Sequence, residues 1–178
     1  LKAHQNRHKL DLQVEEKGID GPVTRVDRYL EQLTIDTLRK SYKNHSFLGE
    51  EFGMQEGNGH DADWCWVIDP LDGTLNFING FPHFCISIAV QHKGVTQHGV
   101  IYDPVKDELF SASRGRGAMM NQRRIRVNIK DSLDNTFVGV GHAYRNKRNG
   151  EVVSYAKNHF DSLLNVTEAG AQFRRSGS

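Results

Sequence analysis

The sequence predicts a mixed α and β fold, and three observations predict it. Val26, Leu30, Leu33, Thr37 and Leu38 recur at helical spacing. An apolar strand, Trp64–Ile68, stops abruptly at a pair of carboxylates. A strand-and-turn rhythm then runs from Phe84 to Asn121, with turns at Lys93-Gly94, Asp103-Pro104 and Arg114–Gly117.

In chain order, residues 1–12 are mixed and polar and read as the tail of a longer helix. Residues 15–22 read as a loop. Thr24 opens a helix expected to reach Tyr42. Residues 46–49 form a short apolar segment ending at Glu50-Glu51, and residues 53–63, rich in Gly, Asn and Asp, read as a surface loop. After strand Trp64–Ile68 comes an antiparallel meander of Phe84–Gln91, Gln97–Tyr102, Glu108–Ser113 and Ala118–Asn121. Thr136–Val140 reads as a further strand and residues 151–162 as a helix. The polar stretch Lys130–Asn135 sets the expected division: an α+β, metal-binding domain over 1–133 and the start of an α/β domain over 134–178.

A formal net charge of +1 on 178 residues gives no global attraction to nucleic acid or anionic membranes. No apolar run is long enough to span a bilayer, and no signal-peptide pattern is present. Cys65 and Cys85 fit no CxxC or zinc spacing; two lone thiols, expected to be buried, suit a reducing, cytoplasmic setting. The chain begins at Leu1 without Met and is expected to be truncated at both ends.

The chemistry concentrates in Asp69-Pro70-Leu71-Asp72-Gly73-Thr74. Carboxylates at the end of a buried strand suit hard cations, which prefer oxygen ligands. Pro70 pre-shapes the turn so that Asp69, the Leu71 carbonyl and Asp72 can converge. Gly73 and Thr74 offer backbone N–H groups to an anion if a helix starts there. A bare Asp-Pro-x-Asp is more often an ordinary turn; the strand before it and the Gly-Thr after it favour the functional reading. Glu50 and Glu51 alone are a common surface pair and gain weight only as a further ligand source for Asp69. Thr24-x-x-Asp27 resembles a capping box, and the spacing alone favours the cap. Arg114, Arg116, Arg123, Arg124, Arg126 and Lys130 could meet phosphates, but such a run more often forms the solvated face of a hairpin. The nine histidines show no HxH or HExxH spacing, His83 beside Pro82 reads as structural, and Ser87 lacks a G-x-S-x-G context.

Taken together, Pro22–Asp27, Leu48-Gly49-Glu50-Glu51, Trp66–Phe77 and Arg174-Arg175-Ser176-Gly177-Ser178 resemble the inositol monophosphatase family, in its order and approximate spacing. The Asp-Pro-Leu-Asp-Gly-Thr core is specific for the wider lithium-sensitive, Mg²⁺-dependent phosphatase superfamily. Asn76-Phe77 and the Pro82–Val90 segment look most like the inositol monophosphatase branch, and bacterial members look nearest. The resemblance implies a layered αβαβα sandwich with its C-terminal part incomplete. It implies two Mg²⁺ ions: Glu50, Asp69 and the Leu71 carbonyl would hold the first, Asp69 and Asp72 the second. Asp72, Gly73 and Thr74 would bind substrate, with the Gly73 and Thr74 N–H groups on its phosphate. Asp27 and Thr74 would orient and deprotonate the attacking water, so that Asp27 would serve both as cap and in catalysis.

The implied reaction is hydrolysis of a small phosphorylated polyol, inositol 1-phosphate first. The same residues fit a 3′-phosphoadenosine-type nucleotidase or another sugar phosphatase. The resemblance also implies a homodimer and leaves open a regulatory role in a bacterial transcription complex or an RNA contact; it implies no membrane partner. Two departures stand out. Gly21-Pro22 replaces an acidic residue that usually borders the site, with Asp20 displaced by one, which bears on a third, weaker metal position. The chain also stops at Ser178, before the family's Trp-Asp element that completes the second metal site. The full-length product is therefore expected to be the enzyme, and the 178-residue piece to be nearly inactive.

Overall fold

The computed structural model describes residues 14–16, 22–141, 145–148, 151–154 and 156–174. The described residues form two compact units, one from residues 14–16 and 22–126 and the other from those after 126. The expected division at residue 133 lies inside the second. The tail read at residues 1–12, and most of the loop read at 15–22, lie outside the described residues.

In the first unit, a two-stranded piece pairs β1 (Glu15–Glu16) with β2 (Pro22–Val23). Helix α1 follows over Arg25–Arg39. Thr24 caps it: its hydroxyl oxygen accepts the Val26 N–H at 3.1 Å, and its own N–H donates to Asp27 Oδ2 at 2.8 Å. The capping box read from the sequence is therefore real. The apolar stripe is only partly the buried face: Val26 and Leu38 pack against the two cores of the unit. Thr24, Asp27, Glu31 and Ile35 are buried, whereas Leu33 is 48% exposed and Thr37 is exposed. Polar side chains occupy that face because other segments bring hydrogen-bond partners to them, which offsets the cost of burying a carboxyl group.

The main sheet has eight strands: β3 (Ser46–Gly49), β4 (Gly53–Gln55), β5 (Trp64–Asp72), β6 (Cys85–His92), β7 (Val95–Asp103), β8 (Glu108–Ser113), β9 (Gly117–Met120) and β10 (Arg123–Ile125). Their spatial order is β10-β9-β8-β7-β6-β5-β3-β4. The meander from β5 to β10 is antiparallel throughout, as the turn signals predict. β3 instead lies parallel to β5, pairing Leu48 with Val67 and Gly49 with Ile68. The stretch read as a surface loop, 53–63, holds β4 and a 3-10 turn over Gly59–Asp63. Its few apolar residues show no alternation, and pairing with β3 makes the strand.

Strand alternation divides β5 between two faces. Ile68 packs with Ile35 of α1 and Phe47 of β3, with Leu38, Trp66 and Ile88 around them. Val67 and Asp69 line the other side, beside Leu48, Glu50, Ser87 and Ala89. β5 runs four residues beyond the apolar segment that signalled it, carrying Pro70 and both aspartates, with a register shift against β6 between Asp69 and Asp72. Helix α2 (Thr74–Asn79) follows at once, and Phe77 closes a second small core with Leu71 and Phe84.

In the second unit, β11 (Phe137–Gly139) lies parallel to β14 (Gln172–Arg174), which the sequence reading missed. β12 (Arg145–Arg148) and β13 (Glu151–Ser154) form a hairpin. The helix expected at 151–162 is displaced: α3 spans Ala156–Glu168. The β-branched Val152-Val153 pair favours the strand. Parallel strands need a crossover between them, and α3 lies on this one.

Candidate active site

Three segments of the first unit carry the sequence-predicted residues: the start of α1, the turn between β3 and β4, and the end of β5 running into α2. The first and third are joined directly. Thr74 Oγ1 lies 2.9 Å from Asp27 Oδ1 and 3.1 Å from the Leu71 carbonyl oxygen. A hydroxyl has one proton, so it serves one acceptor at a time and keeps lone pairs for a third group. Asp27 is 3% exposed, and its Oδ2 is engaged by the Thr24 N–H and hydroxyl. Capping therefore leaves Oδ1 for Thr74. Cap and site contact coexist in one carboxyl group.

At the end of β5, Asp69 Oδ1 accepts the Leu71 N–H at 3.2 Å, a local turn around buried Pro70. Burial holds the Asp69 carboxyl above the ordinary carboxylate range, and the neighbouring Asp72 charge pushes the same way. The Leu71 N–H and a hydrogen bond with Glu50 oppose this. The two adjacent glutamates are thus distinguished. Glu50 meets Asp69, whereas the Glu51 backbone N–H turns inward to Glu31 and its side-chain charge acts on Arg28. A groove of about 310 Å³ runs along Glu50 and Asp69. A larger cleft of about 470 Å³ is lined by Tyr42, His45, Trp64, Trp66 and their neighbours. It contains no carboxylate and none of the predicted residues.

Gly73 makes the turn from strand to helix possible. Its φ is +100°, and an added Cβ would sit 3.0 Å from the His83 carbonyl oxygen. Only glycine meets both demands. Thr74 then begins α2, whose first-turn N–H groups have no partner within the helix. Asn76 fixes the facing segment by donating to the His83 carbonyl at 2.7 Å, so His83 contributes backbone, in keeping with its structural reading.

The donor set fits Mg²⁺. Among the described residues no three acidic, histidine or cysteine side chains gather about one point. The arrangement instead offers carboxylates in pairs, Glu50 with Asp69 and Asp69 with Asp72, plus the Leu71 carbonyl. Mg²⁺ is commonly held through one or two carboxylates while it keeps several waters. A closed, sulfur-rich zinc site is a different construction.

Three residues near this site were given no role in it by the sequence reading. Glu31 is fully buried, one helical turn from Asp27; the i, i+4 pair of acids on one face was the available signal. Gly49 leaves no room for a side chain beside Glu31. The Cys85 thiol lies 3.7 Å from Asp72 Oδ2, and burial, reinforced by that carboxylate, pushes its pKa up to about 12. It therefore stays a thiol at neutral pH. Cys65 and Cys85 are both free and half-buried, less enclosed than expected. Among the described residues no helix is long and apolar enough to cross a membrane.

The sequence profile of the inositol monophosphatase family matches residues 2–178. The chain is 47% identical to the Nus factor SuhB of Pseudomonas aeruginosa, over 94% of this chain and 60% of the relative. It is 42% identical to the Nus factor SuhB of Escherichia coli over the same shares. The chain thus spans about 60% of the length of these curated relatives. Among solved structures it is similar to the extragenic suppressor protein suhB of Bartonella henselae, with 34% identity and a TM-score of 0.82 over 99% of this chain and 67% of that one. A Thermotoga maritima IMPase has 27% identity and a TM-score of 0.77 over 99% of this chain and 65% of its own. The α+β sandwich expected from the sequence agrees with the fold of these neighbours, and the structure has a mixed sheet with helices.

Proposed function

Because the chain belongs to the inositol monophosphatase family, we propose that it carries the metal- and phosphate-binding half of a Mg²⁺-dependent phosphomonoester hydrolase, with inositol 1-phosphate as the first candidate substrate. The observation that carries this reading is the bonded pair of Thr74 and Asp27 beside Asp69 and Asp72. Glu50, Asp69 and the Leu71 carbonyl would hold one Mg²⁺, and Asp69 with Asp72 a second. When bound, Mg²⁺ supplies Lewis-acid activation of water and neutralises charge on the phosphoryl oxygens.

The remaining work falls to this chain's own groups. The Thr74 hydroxyl donates to Asp27 Oδ1, which turns an oxygen lone pair toward the attacking water. A water proton accepted at Thr74 can pass on to Asp27, whose second oxygen stays fixed by Thr24. Backbone N–H groups of Gly73 and Thr74 hold phosphate at the start of α2, favoured by orphan donors there. No covalent enzyme intermediate is required.

The test is phosphate release by the full-length protein from inositol 1-phosphate, adenosine 3′,5′-bisphosphate and fructose 1,6-bisphosphate, with Mg²⁺, with and without Li⁺. The reading expects Li⁺-sensitive release fastest from inositol 1-phosphate. Release from the nucleotide alone would move the assignment to the nucleotidase alternative.

A second reading, contact within a bacterial transcription complex, is favoured by the relatives named Nus factors and by the basic hairpin. β10 is exposed throughout, and Arg124 on it donates to the carbonyl of Arg116, in the turn before β9, at 3.1 Å. Arg123→Glu with Arg124→Glu should abolish binding to such a complex and spare hydrolysis. Loss of hydrolysis with binding intact would contradict it.

A further inference from the structure

Glu31 lies on α1 four residues after Asp27, fully buried. Each of its carboxyl oxygens has a different backbone partner on the turn between β3 and β4. Oε2 accepts the Glu51 N–H at 2.8 Å, and Oε1 accepts the Phe52 N–H at 2.9 Å. Gly49 lies on the other side of the same carboxyl group. A Cβ there would fall within 1.8 Å of Oε1, so the strand approaches Glu31 as closely as backbone alone allows. Glu50 sits between this glycine and the two clamped amides, and its side chain leaves the turn toward Asp69.

One face of α1 therefore grips both halves of the site. Asp27 holds the strand-to-helix turn through Thr74, and Glu31 holds the β3–β4 turn through two amides. A short turn has few contacts of its own to fix it. Two hydrogen bonds to one buried carboxyl group set both its position and its rotation.

We propose that Glu31 is a positioning residue of the metal site: it fixes the turn that aims Glu50 at Asp69, and through it the affinity for the divalent cation. This rests on the reading above, in which Glu50 and Asp69 share a Mg²⁺ ion. Partners that orient a ligand commonly govern metal affinity by about 10–100-fold. Glu31→Gln replaces one acceptor oxygen by an amide NH₂ facing a backbone N–H, with almost no change in volume.

The experiment measures Mg²⁺ binding to metal-free full-length protein by calorimetry, for the wild type, Glu31→Gln and Val90→Ala. The last removes buried bulk from β6, away from the turn, and controls for lost stability. The proposal expects Mg²⁺ affinity to fall about tenfold or more in Glu31→Gln and to hold in Val90→Ala. It also expects Glu51 and Phe52 amide hydrogens of the wild type to exchange slowly, and more slowly once Mg²⁺ is added, because binding and clamping favour each other reciprocally. That exchange measurement decides the matter if Glu31→Gln fails to fold. Unchanged affinity in Glu31→Gln, or fast exchange at both amides, overturns the positioning role while leaving the phosphatase reading intact. A wild type that binds no Mg²⁺ removes both.

Discussion

Asp69→Asn in the full-length protein should reduce Mg²⁺-dependent phosphate release by at least about a hundredfold. Residues that merely orient a ligand cost about 10–100-fold when removed, and Asp69 is proposed as a ligand shared by both ions. Asparagine keeps the shape and an oxygen to accept the Leu71 N–H, so the turn around Pro70 has no cause to change. It also removes a charge that burial and Asp72 both disfavour. The metal-free variant should therefore unfold in guanidinium no more easily than the wild type. Loss of activity without loss of stability separates a ligand from a structural carboxylate. A variant within a few-fold of wild-type turnover would remove Asp69 from the mechanism.

Phe47→Ala should give the opposite pattern, a large loss of stability. Phe47 is fully buried on β3 between Ile35 and Ile68, and the Arg39 guanidinium lies 5.0 Å from its ring centroid. Truncating such a ring costs about 3–5 kcal/mol, from lost transfer energy and the cavity left behind. That is a large part of the roughly 5–15 kcal/mol that holds a typical protein folded. Denaturant titration of the full-length variant reads the change directly. A loss below about 1 kcal/mol would mean that the site collapses around the gap, or that Phe47 is not the centre of this core.

The meander was legible because its signals are local. Lys93 and Gly94 both have positive φ, 50° and 75°, as a tight hairpin demands, and the pair marked that turn in the sequence. Strand Glu108–Ser113 was located to the residue for the same reason. Parallel pairing was not legible: β3 meets β5, and β11 meets β14, with other strands lying between them in the chain, so no single turn marks the pairing. The helix at 25–39 was found, but its buried face was only partly legible. Hydrophobic periodicity assumes that buried means apolar, and here Asp27 is satisfied by its own cap residue and the distant Thr74 hydroxyl, and Glu31 by distant backbone N–H groups. Glu31 was invisible for that reason, since its partners at Glu51 and Phe52 lie some twenty residues away. The carboxylates at the end of β5 stood out because strand, proline, glycine and hydroxyl are contiguous. Pairing Thr74 with Asp27 came from family resemblance, and the structure brings the two into contact across 47 positions.

The most direct test of the metal site is anomalous diffraction from crystals of the full-length protein soaked in Mn²⁺, an analogue of Mg²⁺ visible by its own scattering. A peak is expected about 2.1 Å from carboxylate oxygens of Glu50 and Asp69 and from the Leu71 carbonyl oxygen, with a second between Asp69 and Asp72. A peak held by other residues, with none at Asp69, would contradict this.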